Sequence, residues 1–214
     1  MNNKREIENI IIERFAKLMS IHGFKFYKPR QILYRKTDYG KDIFHFIFLD
    51  WYDCIELHPD IGIRHEKVMN YVNDILKVPR YTCFDQYDVV VGQYLKVFSN
   101  RKNKWIIKNI KDIDQIINEM YIDTIKYAFP FYEKYSDIKE VYKYTLDNVN
   151  EDNLIPFEEY RAIFAIAICK LYNLGDVDKI IENRKKYLES LNLNDLALKI
   201  FNYFVSKVKE ESSN

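Results

Sequence analysis

From Arg5 to about Ile21 the apolar residues Ile7, Ile10, Ile11, Phe15, Leu18 and Met19 recur at spacings of three and four. That spacing gathers them into one stripe along a helix, and Gly23 is placed to end it. Beyond Gly23 the period shortens to two. The runs GFKFYK (23–28) and QILYRK (31–36) are rich in aromatic and β-branched residues, are split by Pro29 and are closed by Asp38-Tyr39-Gly40, a pattern that predicts strands. The run IFHFIFL (43–49) predicts the strongest strand, with Phe44, Phe46 and Phe48 on one face and Ile43, Ile47 and Leu49 on the other. Because both faces are apolar, the strand needs cover on both sides. The first helix is expected over one face, and the C-terminal helices or a second copy of the chain over the other.

A turn at 50–52 leads into residues 54–58 and 61–65, which alternate as half-buried strands with a break expected at Pro59-Asp60. Glu66 to Leu76 returns to helical spacing through Val68, Met69, Val72 and Leu76. Residues 88–98 fit either a further strand or an irregular buried segment. The polar, basic stretch SNRKN (99–103) is the natural boundary, and the pattern after it is helical. One helix is expected over 112–129, stopping at Pro130. Ser136 or Asp137 can cap the next, Pro156 opens another near 157–174, and Gly175 closes that one. Asp176 and Asp195 are placed to cap the last two. The 157–174 helix is apolar nearly all round, so it should be the central, buried one; residues 210–214 should fray.

The expected class is therefore α+β: an N-terminal helix and a small antiparallel sheet over 1–100, then a C-terminal bundle of about five helices over 101–214, packed on the sheet.

The hairpin around Leu174-Gly175-Asp176 resembles one hairpin of a tetratricopeptide-like array, but no second copy recurs at a fixed period, so no repeat architecture is expected. The leading helix followed by GFKFYK, LYRK and a very hydrophobic strand resembles small uncharacterised bacterial domains of unknown function. That resemblance implies the N-terminal fold and brings no activity with it.

Composition narrows the field. With 48% hydrophobic and 30% charged residues in 214, the chain is globular and long enough to bury a core. Lys+Arg 33 against Asp+Glu 32 leaves no global field for nucleic acid or an anionic membrane. Cys54, Cys83 and Cys169 are odd in number and widely spaced, which suits free thiols and a cytoplasmic protein. The longest apolar run, 162–169, is far short of the ~20 residues of a membrane span. No motif for a dinucleotide, a P-loop or a nucleophile elbow occurs, so no cofactor is expected.

Two segments carry candidate chemistry. In 22–41 the cations Lys25, Lys28, Arg30, Arg35, Lys36 and Lys41 interleave with aromatic residues, as in a single-strand nucleic-acid platform centred on Lys25, Tyr27 and Arg35. The same alternation arises in any half-buried hairpin with cations facing water. The next segment has the opposite sign, with Asp50, Asp53, Glu56 and Asp60 inside eleven residues without Lys or Arg, which weakens a nucleic-acid role. In it Cys54, Glu56 and His58 alternate along a strand and offer S, O and N ligands for a metal-dependent hydrolase. Exposed strand positions commonly carry these residue types without a metal.

His45 reads as a satisfied core histidine or the wall of a pocket, and Arg64 and His65 as local ion pairs or an anion site. The leading expectation is a non-catalytic interaction module. Its 18 tyrosines and 14 phenylalanines are interface-favoured side chains, and its partner is expected to be another protein or a second copy rather than nucleic acid or membrane.

Overall fold

A computed structural model describes residues 4–76, 88–99, 105–147, 153–191 and 193–212. The expected α+β class holds. The chain forms two compact units that interleave in sequence: residues 1–63 with 92–134, and 64–91 with 135–214. It crosses between them three times, whereas the sequence pattern suggests one crossing near residue 100.

The first unit opens with α1 (Lys4–Ser20), whose buried face is Ile7, Ile11, Ile12, Phe15 and Met19. Gly23, at φ 84°, turns the chain out of the helix in a left-handed conformation that suits glycine. The strands β1 (Lys25–Tyr27), β2 (Ile32–Lys36), β3 (Gly40–Asp50), β4 (Ile55–His65) and β5 (Val91–Tyr94) lie in that order across one sheet, and β6 (Trp105–Ile107) also pairs with β4. Register pairs Lys25 with Tyr34, Leu33 with Phe44 and Arg35 with Asp42. Partners across a ladder share a face, so Leu33, Arg35, Asp42, Phe44 and Phe46 look one way, and Lys25, Tyr27, Tyr34, Ile43 and His45 look the other.

Helix α1 covers the first of these faces. Phe15 meets Phe44 at 4.9 Å between ring centroids and Phe46 at 5.7 Å, both within the range in which rings attract. The same face receives Phe129 and Tyr132, whose rings surround Phe24, while the Tyr132 hydroxyl donates to the Ile43 carbonyl at 2.9 Å.

Three expectations change. Pro59 does not break β4, which runs through it from Ile55 to His65. The ladder to β6 involves only Ile55, Glu56 and Leu57, so Pro59 lies just beyond it and its missing N–H costs that ladder no bond. The region after residue 99 is not wholly helical, since β6 precedes α4 (Ile113–Asp123). The helix also does not stop at Pro130. It passes through a π-helical turn at Thr124–Ala128, closed by the Phe129 N–H on the Thr124 carbonyl, into α5 (Phe129–Ser136). The wider turn accommodates a proline that would clash inside an α-helix. A short helix α3 (Leu95–Phe98) follows β5, so 88–98 holds a strand and a helical turn.

The second unit contains α2 (Glu66–Leu76), at the expected limits, with α6 (Ile138–Leu146), α7 (Glu158–Tyr172), α8 (Val177–Ser190) and α9 (Asp195–Ser212). Helix α7 is central: every residue from Arg161 to Cys169 is buried, and α2, α6, α8 and α9 all pack on it. Asp137 caps α6 and Asp176 caps α8 through the N–H groups of Lys139 and Lys179. Two ends differ by small shifts. Asn173, at φ 53°, takes the left-handed position after α7 ahead of Gly175, a role asparagine tolerates. Asn194, not Asp195, caps α9 through the Ala197 N–H at 2.9 Å. Helix α9 continues to Ser212, its end held where Glu211 accepts from Lys170 and Tyr71, so 210–212 are helical. Residues 213–214, Cys83 and most of the 99–103 boundary lie outside the described residues. Among the described residues, no helix is long and apolar enough to cross a membrane.

Candidate functional site

The period of two in β4 sends Ile55, Leu57, Ile61 and Ile63 to one side, all buried, and Glu56, His58 and Asp60 to the other. Glu56 and His58 are brought together, with Nε2 of His58 3.1 Å from Oε2 of Glu56. Nδ1 of the same ring lies 3.1 Å from Nζ of Lys96, on α3. An ammonium has only protons to offer, so Nδ1 accepts and the Nε2–H donates to Glu56. Tyr94, at the end of β5, stands edge-on to the His58 ring and under the Lys96 ammonium. The result is a relay from Lys96 through His58 to Glu56, in which both imidazole nitrogens are engaged.

Cys54 does not join this relay. It lies in the β3–β4 turn, where its carbonyl accepts from the Trp51 N–H at 3.0 Å. Desolvation and then the Asp53 carboxylate push its thiol above the ordinary range, the reverse of what a metal-binding or nucleophilic thiolate needs. Among the described residues no group of three His, Cys, Asp or Glu side chains is placed to hold a metal ion. Asp60, next along the row, is pushed up to about 6 by burial, opposed by the N–H of Ile61 that it accepts.

The nucleic-acid candidates are divided by the register. Lys25 and Tyr27 share one face of the sheet, and Arg35 lies on the other. There Arg35 is fully engaged: Nε and Nη2 lie 2.8 and 2.7 Å from Oδ2 of the buried Asp42, and the guanidinium sits over the rings of Phe24, Phe129 and Tyr132. Tyr39 donates to the other Asp42 oxygen. The cluster pairs a buried carboxylate with a half-buried cation, and that cation lies on the sheet face opposite Lys25 and Tyr27.

His45 is half-buried on the face away from Phe44, where burial and then the Arg30 charge hold its imidazole below the ordinary range. Arg64 is buried and bonds Glu66, Asn70 and the Asp88 carbonyl, while His65 pairs with the Tyr135 carbonyl at 2.8 Å. Arg64 thus makes a local ion pair with Glu66, whereas His65 bonds a backbone carbonyl 70 residues away.

What the relay has around it is exposed apolar surface. Ile106 of β6 stands across the ladder from Glu56 and is 42% exposed, and Tyr94 beside His58 is 39% exposed. At the end of the same hairpin Leu49 is 41% exposed, Trp51 51%, and Tyr52 fully. The hairpin is held rather than loose: Lys4 of α1 donates to the Trp51 carbonyl and pairs with Asp50 at 3.3 Å. Lys96 and Tyr94 escaped the sequence reading because they meet His58 only through the pairing of distant strands; the exposed Trp51-Tyr52 pair inside an acidic run was the available signal. Comparisons with protein-family models, with curated proteins and with solved structures find no match to this chain.

Proposed function

We propose that this protein is a non-catalytic interaction module and that its first unit binds another protein through the β3–β4 hairpin and the adjoining β6. The observation that carries this reading is the concentration of exposed apolar side chains, Leu49, Trp51, Tyr52, Tyr94 and Ile106, around one braced end of the sheet. Tryptophan and tyrosine are the residues most enriched at binding hot spots. Asp50 and Asp53 flank them, so the complementary partner surface is apolar with a rim of Lys or Arg. The Glu56–His58–Lys96 relay stiffens the floor of this surface. Free Cys54 and Cys169 suit a reducing, cytoplasmic setting.

The test is affinity capture from the native lysate, after nuclease treatment, with wild-type chain and with a Trp51→Ser/Tyr52→Ser/Ile106→Ser variant. A basic-rimmed protein retained by the wild type and lost by the variant supports the proposal. Equal retention by both overturns it. Retention of the chain's own copies, read by sedimentation, would make the partner a second protomer.

A further inference from the structure

The first unit carries a second exposed apolar area, at the end of α1 remote from the β3–β4 hairpin. Helices α1 and α4 run side by side in one direction, since Arg14 pairs with Asp114 and, further along both helices, His22 bonds the Tyr121 hydroxyl at 2.9 Å. Leu18 lies one turn from both Arg14 and His22, Ile21 and Ile122 adjoin the His22–Tyr121 bond in sequence, and Ile125 follows Tyr121 by one turn. These positions gather the four side chains at the C-terminal end of the helix pair. All four are exposed, Ile21 by 74% and Ile122 by 52%. Apolar side chains grouped in this way on a surface mark a contact with another molecule.

The charges around this end are positive. Lys17 precedes Leu18, Lys25 follows the turn after Ile21, and Lys126 stands one turn beyond Ile122; all three are exposed. Lys17 and Lys25 have no carboxylate partner among the described residues. Of the α4 carboxylates at this end, Asp123 is buried and Glu119 accepts from the Gln115 amide. The hairpin has the opposite character. There Asp50 and Asp53 flank the exposed Leu49, Trp51 and Tyr52, and the Lys4 charge is already spent on Asp50.

Helix α1 separates the two surfaces. Its first residue, Lys4, holds the hairpin through the Trp51 carbonyl, and its last turn carries Leu18 and leads into Ile21. At about 1.5 Å per residue, its 17 residues set the two ends about 25 Å apart, so they cannot meet within one first unit. We infer that the hairpin of one copy of this chain docks on the α1–α4 end of a second copy, apolar surface against apolar surface with Asp50 and Asp53 facing Lys17, Lys25 and Lys126. The inference rests on the hairpin surface proposed above and names its partner. Because the two contacting surfaces differ, the association is head to tail, and each copy keeps one unused surface of each kind at the ends of the assembly until a ring closes.

The experiment is sedimentation of the full chain as wild type, as a hairpin variant (Trp51→Ser/Tyr52→Ser) and as a helix-end variant (Ile21→Ser/Ile122→Ser). The wild type should associate with rising concentration, and each variant alone should associate at least about tenfold more weakly. An equimolar mixture of the two variants should form one-to-one dimers and nothing larger, since each supplies the surface the other lacks. Lys17→Glu/Lys126→Glu leaves every apolar side chain in place and should weaken association as well. Wild-type association that both helix-end variants leave unchanged while the hairpin variant abolishes it would mean that copies meet hairpin to hairpin, which overturns the inference and keeps the hairpin reading. A wild type that stays monomeric up to about 1 mM also overturns it; lysate capture that still depends on Trp51 and Tyr52 would then show a different protein on the hairpin, and loss of that capture too would sink both readings.

Discussion

Replacing Asp60 with asparagine is expected to stabilise the first unit at neutral pH. The Asp60 carboxyl sits on β4 in a site where burial raises its ionisation from the ordinary 3.8 to about 6. In the unfolded chain the same group ionises at its ordinary value. Below that value both states hold the proton and the site costs nothing. Between pH 4 and 6 the folded state binds more protons than the unfolded one, so stability falls as pH rises. Above about pH 6 the full cost of the half-buried carboxylate is present, and at about 1.36 kcal/mol per pH unit it amounts to at most roughly 3 kcal/mol. Asparagine keeps an oxygen to accept the Ile61 N–H and carries no charge, so Asp60→Asn should remove that dependence.

The two tryptophans of the chain, Trp51 and Trp105, both belong to the first unit, and buried Trp105 stands across the ladder from Leu57. Their fluorescence during urea unfolding therefore reports the unit that contains Asp60. The difference between variant and wild type should be near zero at pH 4 and should grow in the variant's favour by up to about 3 kcal/mol at pH 7. A difference that stays constant across this range, or that favours the wild type at pH 7, refutes the reasoning.

Three further outcomes follow from named contacts. Arg35→Met leaves the fully buried Asp42 without its cation and should cost about 3–5 kcal/mol, measured by the same unfolding assay. Adding Asp42→Leu should recover more than half of that loss, because no uncompensated charge then remains. In the second unit, Asp137→Ala removes the cap that accepts the Lys139 N–H at 2.9 Å and should cost about 1 kcal/mol, read from thermal melting followed by circular dichroism.

Local periodicity made much of the fold legible. The limits of α2, the central place of α7 and most of the buried stripe of α1 follow from apolar spacing within each segment; in α1 Ile12 is buried, while Ile10 is half-buried and Leu18 exposed. Features set by remote partners were not legible. Pro59 lies within β4 beyond the end of the β6 ladder, and β6 itself is three residues long, too short for alternation to register. Pro130 signalled a stop, and a π turn converted it into a continuation. Among the site candidates, the Glu56–His58 contact was readable as an alternation on one strand, but Lys96 and Tyr94 arrive from another part of the chain. Lys25, Tyr27 and Arg35 form one basic-aromatic run in sequence, and the register of β1, β2 and β3 sends Arg35 to the opposite face, beside the buried Asp42. The run of small and apolar residues after Arg161 indicated a buried helix and gave no sign that a guanidinium would be buried with it.

The measurement that tests the account most directly is amide hydrogen exchange of this chain with and without the protein it captures from its native lysate. The interaction-module reading predicts slowed exchange at 48–58 and 105–107 when the partner is added, with little change over α7. Protection confined to other segments, or a chain that captures no protein and exchanges as a strict monomer, would contradict it.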